Sequence, residues 1–252
     1  MSPRISWAEK LKRWRQMHEE EYARVLMSPP EETTLLRAVP FPGVILVMGA
    51  KGSGKSAMAH ASAEKLHTGR ALSAVLHLPM VPPDLQKHIQ KLLPDWLRVV
   101  TTTASWPKRS VVIYDEAAQS AHARRTQSGD AVELDNLMSI SRQRQQLIIF
   151  ISHHSRKLDP SVIRDVGMIG WKQPTYAHWL FERNELTDFT LKAVDFYRDM
   201  KTESQRLKTT MIVDLHHLVI KSFKNNVPTY WSESLSHLFE DIKSIRKAPY
   251  LG

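Results

Sequence analysis

The chain has 252 residues, of which 42% are hydrophobic and 24% are charged, proportions that exclude a disordered or fibrous protein. Its net charge of +9 suits a polyanionic partner such as nucleic acid, although a basic surface without a partner has the same charge. The absence of cysteine excludes disulfide scaffolds, thiolate zinc sites and cysteine nucleophiles.

The N-terminal region, residues 1–38, is predicted to form an amphipathic helical extension. Apolar residues recur there at helical spacing from about residue 5 to residue 26. No apolar run in the chain approaches the roughly 18 residues of a membrane helix, and the N-terminus lacks the apolar segment of a signal peptide. We therefore expect a soluble, cytoplasmic protein with no membrane partner.

The central region, residues 39–215, is predicted to form an α/β domain with three layers and a mostly parallel central sheet. Short, continuous apolar runs are typical of strands buried on both faces of a parallel sheet. The predicted strands are VILVM, LSAVLHL, LRVVTT, VVIYD, LIIFIS and TTMIVDL. The predicted helices are about 55–67, ended by Gly69, then DLQKHIQKLL, ELDNLMSISRQRQ and about 186–200. Residues 216–252 are predicted to be a helical tail with a final helix near 232–245.

The stretch GAKGSGKS follows the VILVM run and precedes a predicted helix, so G-x-x-x-x-G-K-[ST] occurs in its expected strand–loop–helix context. Such a loop turns its backbone amides around phosphates, and the helix N-terminus adds a favourable dipole. Lys55 is predicted to reach the β and γ phosphates, and Ser56 to offer its hydroxyl to Mg²⁺. We expect ATP with Mg²⁺ to be bound by Gly49, Ala50, Lys51, Gly52, Ser53, Gly54, Lys55 and Ser56.

The apolar run VVIYD ends in two acidic residues, Asp115 and Glu116. An aspartate at the end of such a strand can associate with Mg²⁺ beside the nucleotide. The adjacent Glu116 is a candidate base for polarising the attacking water, which favours hydrolysis of the nucleotide over its storage. Alternatively, Glu116 interacts with the dipole of a following helix.

The run LIIFI also ends in polar residues, Ser152 and His153. The carboxyl ends of parallel strands line the ligand crevice of an open sheet, so either side chain is a candidate contact to the γ phosphate or to the attacking water. A capped loop with no catalytic role is the other interpretation of the same pattern.

Two arginine-rich pieces occur near these strands. Arg142 and Arg144 are candidates for a cation delivered to the nucleotide of a neighbouring subunit, although contacts to nucleic acid or a solvated surface also fit. Arg124 and Arg125 lie in the loop-like stretch SAHARRTQSGD and are candidates for contacts to DNA phosphates.

The order of GAKGSGKS, VVIYDEA, SRQRQQ and LIIFISHHSRKLDPSVIRDVG resembles that of HerA/FtsK-class P-loop ATPases of the ASCE division. The later stretch VPTYWSESLS is similar to the ending of small viral genome-packaging ATPases of that class. The resemblance spans roughly residues 44–239. It implies roles for Lys55 and Ser56 in nucleotide and Mg²⁺ contacts, for Asp115 as the metal-associated acid and for Glu116 as the base. His153 stands where many members carry a glutamine.

Members of this class are mostly hexameric rings that translocate double-stranded DNA, with arginines supplied between subunits. The resemblance therefore implies a DNA translocase that packages a viral genome, with a capsid or portal protein as a further partner. The location would then be the host cytoplasm or the virion.

A second hypothesis is a nucleotide-controlled switch or loader that acts on a protein partner in transposition or replication. Its partner surface would be the N-terminal stripe of Trp7, Leu11 and Trp14, although packing on the main domain is the favoured role of this stripe. A small-molecule kinase is disfavoured because there is no arginine-rich lid segment, and a GTPase because there is no N-K-x-D motif.

Overall fold

The computed structural model describes residues 7–79, 81–115, 141–158, 163 and 166–236. These residues form a nine-stranded sheet with the order β1-β9-β8-β7-β2-β6-β5-β3-β4. Neighbouring strands are parallel except at the β7/β8 and β8/β9 pairs. The strands are β1 (Glu31–Thr33), β2 (Gly43–Gly49), β3 (Ser73–His77), β4 (Leu97–Val100), β5 (Ser110–Asp115), β6 (Gln146–Ile151), β7 (Met168–Lys172), β8 (Thr209–Asp214) and β9 (Val219–Lys224).

Helices cover both faces of the sheet. They are α1 (Trp7–Met17), α2 (Glu19–Met27), α3 (Leu35–Ala38), α4 (Lys55–Arg70), α5 (Pro83–Lys91), α6 (Tyr176–Leu180), α7 (Thr187–Arg198) and α8 (Glu203–Lys208). Short 3-10 turns occur at residues 103–105, 155–157 and 184–186. The predicted three-layer α/β architecture with a mostly parallel sheet and helical additions is confirmed.

The core is divided by the sheet into two apolar clusters, because successive residues of a strand point to opposite faces. On β2, Ile45 and Val47 pack toward α4, whereas Val44 and Leu46 pack toward α2 and α7. Strands β5 and β6 divide their residues in the same way. This two-sided burial explains why the sequence shows continuous apolar runs in place of alternation.

Several boundaries differ from the sequence prediction. The N-terminal stripe forms two helices, because the backbone at His18 (φ −129°, ψ 35°) is not helical. Helix α4 continues through Gly69 and ends at Arg70, and its C-cap, Ala71, adopts a left-handed conformation with φ 51°. Residues 141–145 form a turn, so the predicted helix ELDNLMSISRQRQ is wrong over its last five residues; residues 133–140 lie outside the described part.

The described region after residue 215 is only partly helical, although a helical tail was predicted there. Strand β9 lies between β1 and β8, so both ends of the chain contribute to the sheet. Residues 233–236 are helical, and the backbone N–H of Leu235 donates to the Ser232 hydroxyl at 3.2 Å, a helix N-cap. The predicted final helix therefore begins as expected, and its remainder lies outside the described residues.

The segment before this helix packs on α4. His60 Nδ1 lies 2.9 Å from the hydroxyl of Tyr230, and its ring meets Trp231 edge to face. Thr229 donates its backbone N–H to Glu64 at 3.1 Å. The aromatic pair in VPTYWSESLS thus has a packing role against the helix that follows the phosphate-binding motif. Within the described part of the chain, no helix is long and apolar enough to cross a bilayer.

Candidate functional site

The candidate site residues that the structure describes lie at the carboxyl ends of the central strands, with the exception of two arginines. Strands β5, β6, β2 and β7 are consecutive neighbours, and their carboxyl ends are in register: Val47 pairs with Ile151, and Asp115 pairs with the same residue from the other side. Because β6 lies between β2 and β5, the residues after β6 face the phosphate loop on one side and Asp115 on the other.

The phosphate loop connects β2 to α4, and its conformation depends on glycine. Gly49 has φ 145°, and a Cβ at this position would come within 1.7 Å of the carbonyl oxygen of Lys172 on β7. Gly54 has φ 83° and caps α4 in a left-handed conformation. Glycine is the residue that adopts such backbone angles without strain.

We expect Gly49→Ala to destabilise the fold by about 3 kcal/mol, because strands β2 and β7 would have to separate to admit the methyl group. Urea unfolding of the nucleotide-free protein measures the loss. Gly52→Ala is the matched control, since Gly52 also has positive φ (76°) but its Cβ would meet nothing within 4 Å. Its expected cost is about 1 kcal/mol, from backbone strain alone. Equal losses in both variants would contradict the steric argument.

Lys55 is bound to the loop itself. Its Nζ donates to the carbonyl oxygens of Gly49 at 3.0 Å and Ala50 at 2.7 Å, and lies 3.4 Å from Nδ1 of His153. The side chain is only 8% exposed, so these acceptors compensate for much of its lost hydration. An incoming triphosphate would compete for the same ammonium group.

Ser56 and Asp115, each predicted to lie near Mg²⁺, are in contact with each other. The Ser56 hydroxyl donates to Oδ2 of Asp115 at 2.9 Å, although the two residues are far apart in the chain. A hydroxyl and a carboxylate both provide oxygen ligands of the kind that Mg²⁺ binds, and Mg²⁺ usually keeps several bound waters beside them. The buried hydroxyl of Ser53, in the same loop, has no hydrogen-bond partner among the described residues. The residues therefore fit a nucleotide phosphate chain with its Mg²⁺.

The two residues after β6 have different environments. His153 lies beside the Lys55 ammonium, as expected for a residue close to the phosphates. Ser152 is buried, and its hydroxyl donates to the carbonyl of His154 at 2.8 Å and accepts from the His154 N–H. The Ser152 hydroxyl thus stabilises the turn that contains His153 and His154. This contact agrees with the interpretation of the pattern as a capped loop.

The two candidate arginines that the structure describes, Arg142 and Arg144, lie away from the phosphate loop. Arg144 precedes β6, at the opposite edge of the sheet, where its guanidinium donates to the carbonyl of Trp106 and to Gln146. These contacts give Arg144 a structural role, whereas the nearby Arg142 is exposed. Glu116, Arg124 and Arg125 lie outside the described residues, so their roles stay predictions.

Two residues beside the loop were not found from the sequence. Buried Lys172, at the end of β7, donates to the carbonyl oxygens of Leu207 at 2.6 Å and Thr209 at 2.7 Å and to Oδ1 of Asn225 at 3.2 Å. Burial lowers the pKa of Lys172 to about 7, while three acceptors match the three donors of an ammonium group. The only available signal was a lysine at the end of the apolar run MIGWK.

The second residue is His178 on α6. Its ring stacks on that of His154, with centroids 4.6 Å apart. Two histidines that follow different strands therefore meet above the start of the loop. No sequence pattern relates them, because the sheet order alone brings β6 and β7 to the two sides of β2.

The family model for the ATPase family associated with various cellular activities (AAA) matches residues 45–169, a range that includes the phosphate loop, Asp115 and β6. Residues 45–169 form a P-loop ATPase domain. Comparison with curated protein sequences found no match.

Solved structures with this ATPase fold include the genome packaging NTPase B204 from Sulfolobus turreted icosahedral virus 2 in complex with ATP-gammaS. It has a TM-score of 0.50 and 12% identity, over 74% of this chain and 98% of B204. The DNA-packaging ATPase B204 from Sulfolobus Turreted Icosahedral Virus has a TM-score of 0.46 and 15% identity, over 73% and 98%. The flagellar accessory protein FlaH from Methanocaldococcus jannaschii has a TM-score of 0.37 and 17% identity, over 53% and 72%. The first likeness shows a shared fold.

Proposed function

We propose that this protein is an ATP-hydrolysing, ring-forming motor that moves double-stranded DNA, with viral genome packaging as its task. The hydrogen bond between Ser56 and Asp115 is the observation that carries the ATPase part of the proposal. It joins the phosphate loop to the acidic strand end in the arrangement that a hydrolysed Mg-nucleotide requires.

The proposed chemistry assigns one task to each residue. Lys55 would leave the carbonyls of Gly49 and Ala50 and bind the β and γ phosphates. Ser56 and Asp115 would hold Mg²⁺, which neutralises charge on the phosphates when bound. Glu116, the next residue in the chain, would accept a proton from the attacking water.

The DNA-moving part rests on different support. The net charge of +9 suits a polyanionic substrate. B204, which has the same fold, is described as a genome packaging NTPase. The stretch VPTYWSESLS adds the sequence resemblance to small packaging ATPases. An oligomeric ring would place a neighbour's arginine, with Arg142 the more accessible candidate, at each nucleotide.

Steady-state ATP hydrolysis at fixed low salt, with and without long double-stranded DNA, tests the proposal. We expect duplex DNA to stimulate turnover and the stimulation to fall as salt rises, because binding of the basic surface to DNA phosphates releases condensed counterions into solution, and added salt opposes this release. Lys55→Ala should lose nucleotide binding at micromolar concentration, whereas Glu116→Gln should keep binding and lose turnover.

Equal loss of binding in both variants would remove Glu116 from its proposed catalytic role. Slow basal hydrolysis that duplex DNA does not change would contradict the motor and favour a switch that acts on a protein partner. The N-terminal stripe proposed for that partner is in part used for packing, since Trp14 stacks on His18 and meets Tyr22, whose ring contacts Phe189 of α7.

A further inference from the structure

The last glycine of the phosphate loop lies against a wall formed by Lys172 and Leu207. A Cβ at Gly54 would be 3.7 Å from the carbonyl oxygen of Leu207, 3.7 Å from Cε of Lys172 and 3.8 Å from Cδ2 of Leu207. Gly54 also caps α4, and the N-terminus of that helix is where phosphates are expected to bind. Leu207, on α8, therefore lies beside the proposed phosphate site, although the two are far apart in the chain.

The backbone around Leu207 is fixed by hydrogen bonds. Buried Lys172 donates from Nζ to the carbonyl oxygens of Leu207 at 2.6 Å and Thr209 at 2.7 Å. The carbonyl of Lys208, between them, accepts the backbone N–H of Asn225 at 2.8 Å. Three consecutive carbonyls are thus held in place in the nucleotide-free protein. A ligand that met this segment would lose little free energy in ordering it.

The side chain of Leu207, in contrast, is not packed in the core. It is 37% exposed, whereas Met48 and Trp171 on the neighbouring strands β2 and β7 are buried. A single exposed leucine is ordinary on a protein surface. Leu207 differs in that its backbone is fixed and its side chain lies next to Gly54. An exposed apolar group beside a ligand site suits an apolar part of the ligand.

The position of Leu207 relative to the sheet indicates which part of the nucleotide it meets. The groups for the terminal phosphate and Mg²⁺ lie toward β6 and β5, where Lys55 approaches His153 and Ser56 bonds to Asp115. Leu207 lies on the other side of β2, at the junction of α8 with β8. Because a nucleoside triphosphate has its terminal phosphate at one end and its nucleoside at the other, its nucleoside is directed toward β7 and β8.

We propose that Leu207 is a nucleoside-binding residue, whose side chain packs on the base of the nucleotide held by the phosphate loop. This inference rests on the proposed nucleotide site. Every nucleobase has a flat face that packs on apolar groups, whereas phosphates need hydrogen-bond donors that a leucine side chain lacks. The contact therefore adds affinity for a nucleoside triphosphate without adding affinity for the phosphate chain.

Calorimetry with two ligands, each in the presence of Mg²⁺, tests the inference. ATPγS carries the nucleoside, and inorganic tripolyphosphate carries a phosphate chain without it. We expect Leu207→Ala to bind ATPγS about fivefold more weakly than wild type and tripolyphosphate equally well, because only an apolar contact is reduced. Leu207→Met keeps an apolar side chain of similar volume and should bind both ligands within about twofold of wild type.

Leu36→Ala is the matched control. Leu36 is 36% exposed, and its Cδ1 is 3.5 Å from the place of a Cβ at Gly69, near the other end of α4. This variant should bind both ligands as wild type does. An equal loss for both ligands in Leu207→Ala would indicate that Leu207 acts on the phosphate loop and would overturn the inference. The same loss of ATPγS affinity in Leu36→Ala would indicate a general effect of truncation beside α4 and overturn it as well.

The same measurements separate this inference from the proposed function. If wild-type protein and Leu207→Ala bind ATPγS with equal affinity, the inference alone is wrong. If wild-type protein binds neither ligand, the proposed nucleotide site is wrong and the inference is lost with it.

Discussion

Replacing Asp115 with Asn is expected to lower ATP turnover about a thousandfold, equivalent to about 4 kcal/mol of transition-state stabilisation. The carboxylate is buried and accepts the hydroxyl of Ser56. Asparagine has the same shape, so the fold and metal-free nucleotide binding should persist, but a neutral amide is a much weaker ligand for Mg²⁺. Turnover measured over a range of Mg²⁺ concentrations should also show half-maximal activity at a higher concentration.

Asp84→Asn provides the matched control for this substitution. Asp84 is fully exposed on α5, so the same chemical change should leave turnover and its Mg²⁺ dependence unaltered. Undiminished turnover in Asp115→Asn, with the control normal, would contradict the assignment of Asp115 to the metal.

The second large effect concerns stability at mildly acidic pH. Lowering the pH from 8 to 5 is expected to reduce the free energy of unfolding, and two buried histidines are expected to contribute about 4 kcal/mol of this loss. Burial lowers the pKa of His60 to about 3 and that of His77 to about 4. His60 lies between α4 and the aromatic pair of the tail, and His77 accepts a hydrogen bond from the indole N–H of Trp106 at 3.1 Å.

The sign of the effect follows from proton binding. Below the unfolded-state pKa of about 6.5, the unfolded chain binds a proton at each histidine that the folded chain does not, so acid favours unfolding. At pH 5 each histidine contributes a loss of about 2 kcal/mol, and the loss grows until the pH reaches the folded-state pKa. Most carboxylates of an unfolded chain remain ionised at pH 5, so they contribute little to this window.

Urea unfolding at the two pH values measures the difference. His60→Asn and His77→Asn should each reduce this difference by about 2 kcal/mol, since asparagine supplies a polar group near Nδ1 without a charge to gain. His88 is exposed on α5, and His88→Asn should behave as the wild type. A pH difference that persists undiminished in both buried variants would show that other groups cause it.

Much of the candidate site was accessible from the sequence because its signals are local. The phosphate loop depends on glycines and a lysine within eight consecutive residues, and Asp115 is recognisable as a carboxylate that ends an apolar run. That the phosphate loop and Asp115 lie close together was also predictable, since parallel strands have their carboxyl ends on the same side of the sheet. The same local reasoning left two interpretations open for Ser152, because its pattern did not indicate that its hydroxyl bonds to the backbone of His154.

Short or irregular elements were less accessible. Strand β9 pairs with a strand on each side, but its sequence mixes polar and apolar residues. Strand β1 has only three residues, so neither strand has a continuous apolar run. Gly69 was a misleading stop signal, because a single glycine within a helix lowers its stability without ending it.

By itself, the sequence determined that this protein has a P-loop, an acidic strand end and the buried parallel strands that carry them. These features are encoded by residues close together in the chain. Only the tertiary structure decided that β7 lies beside β2, so that the backbone of Lys172 lies against Gly49 and His178 stacks on His154. It also decided that Arg144 bonds to Trp106 at the far edge of the sheet. Such contacts depend on strand order and register, which arise from packing between segments far apart in sequence.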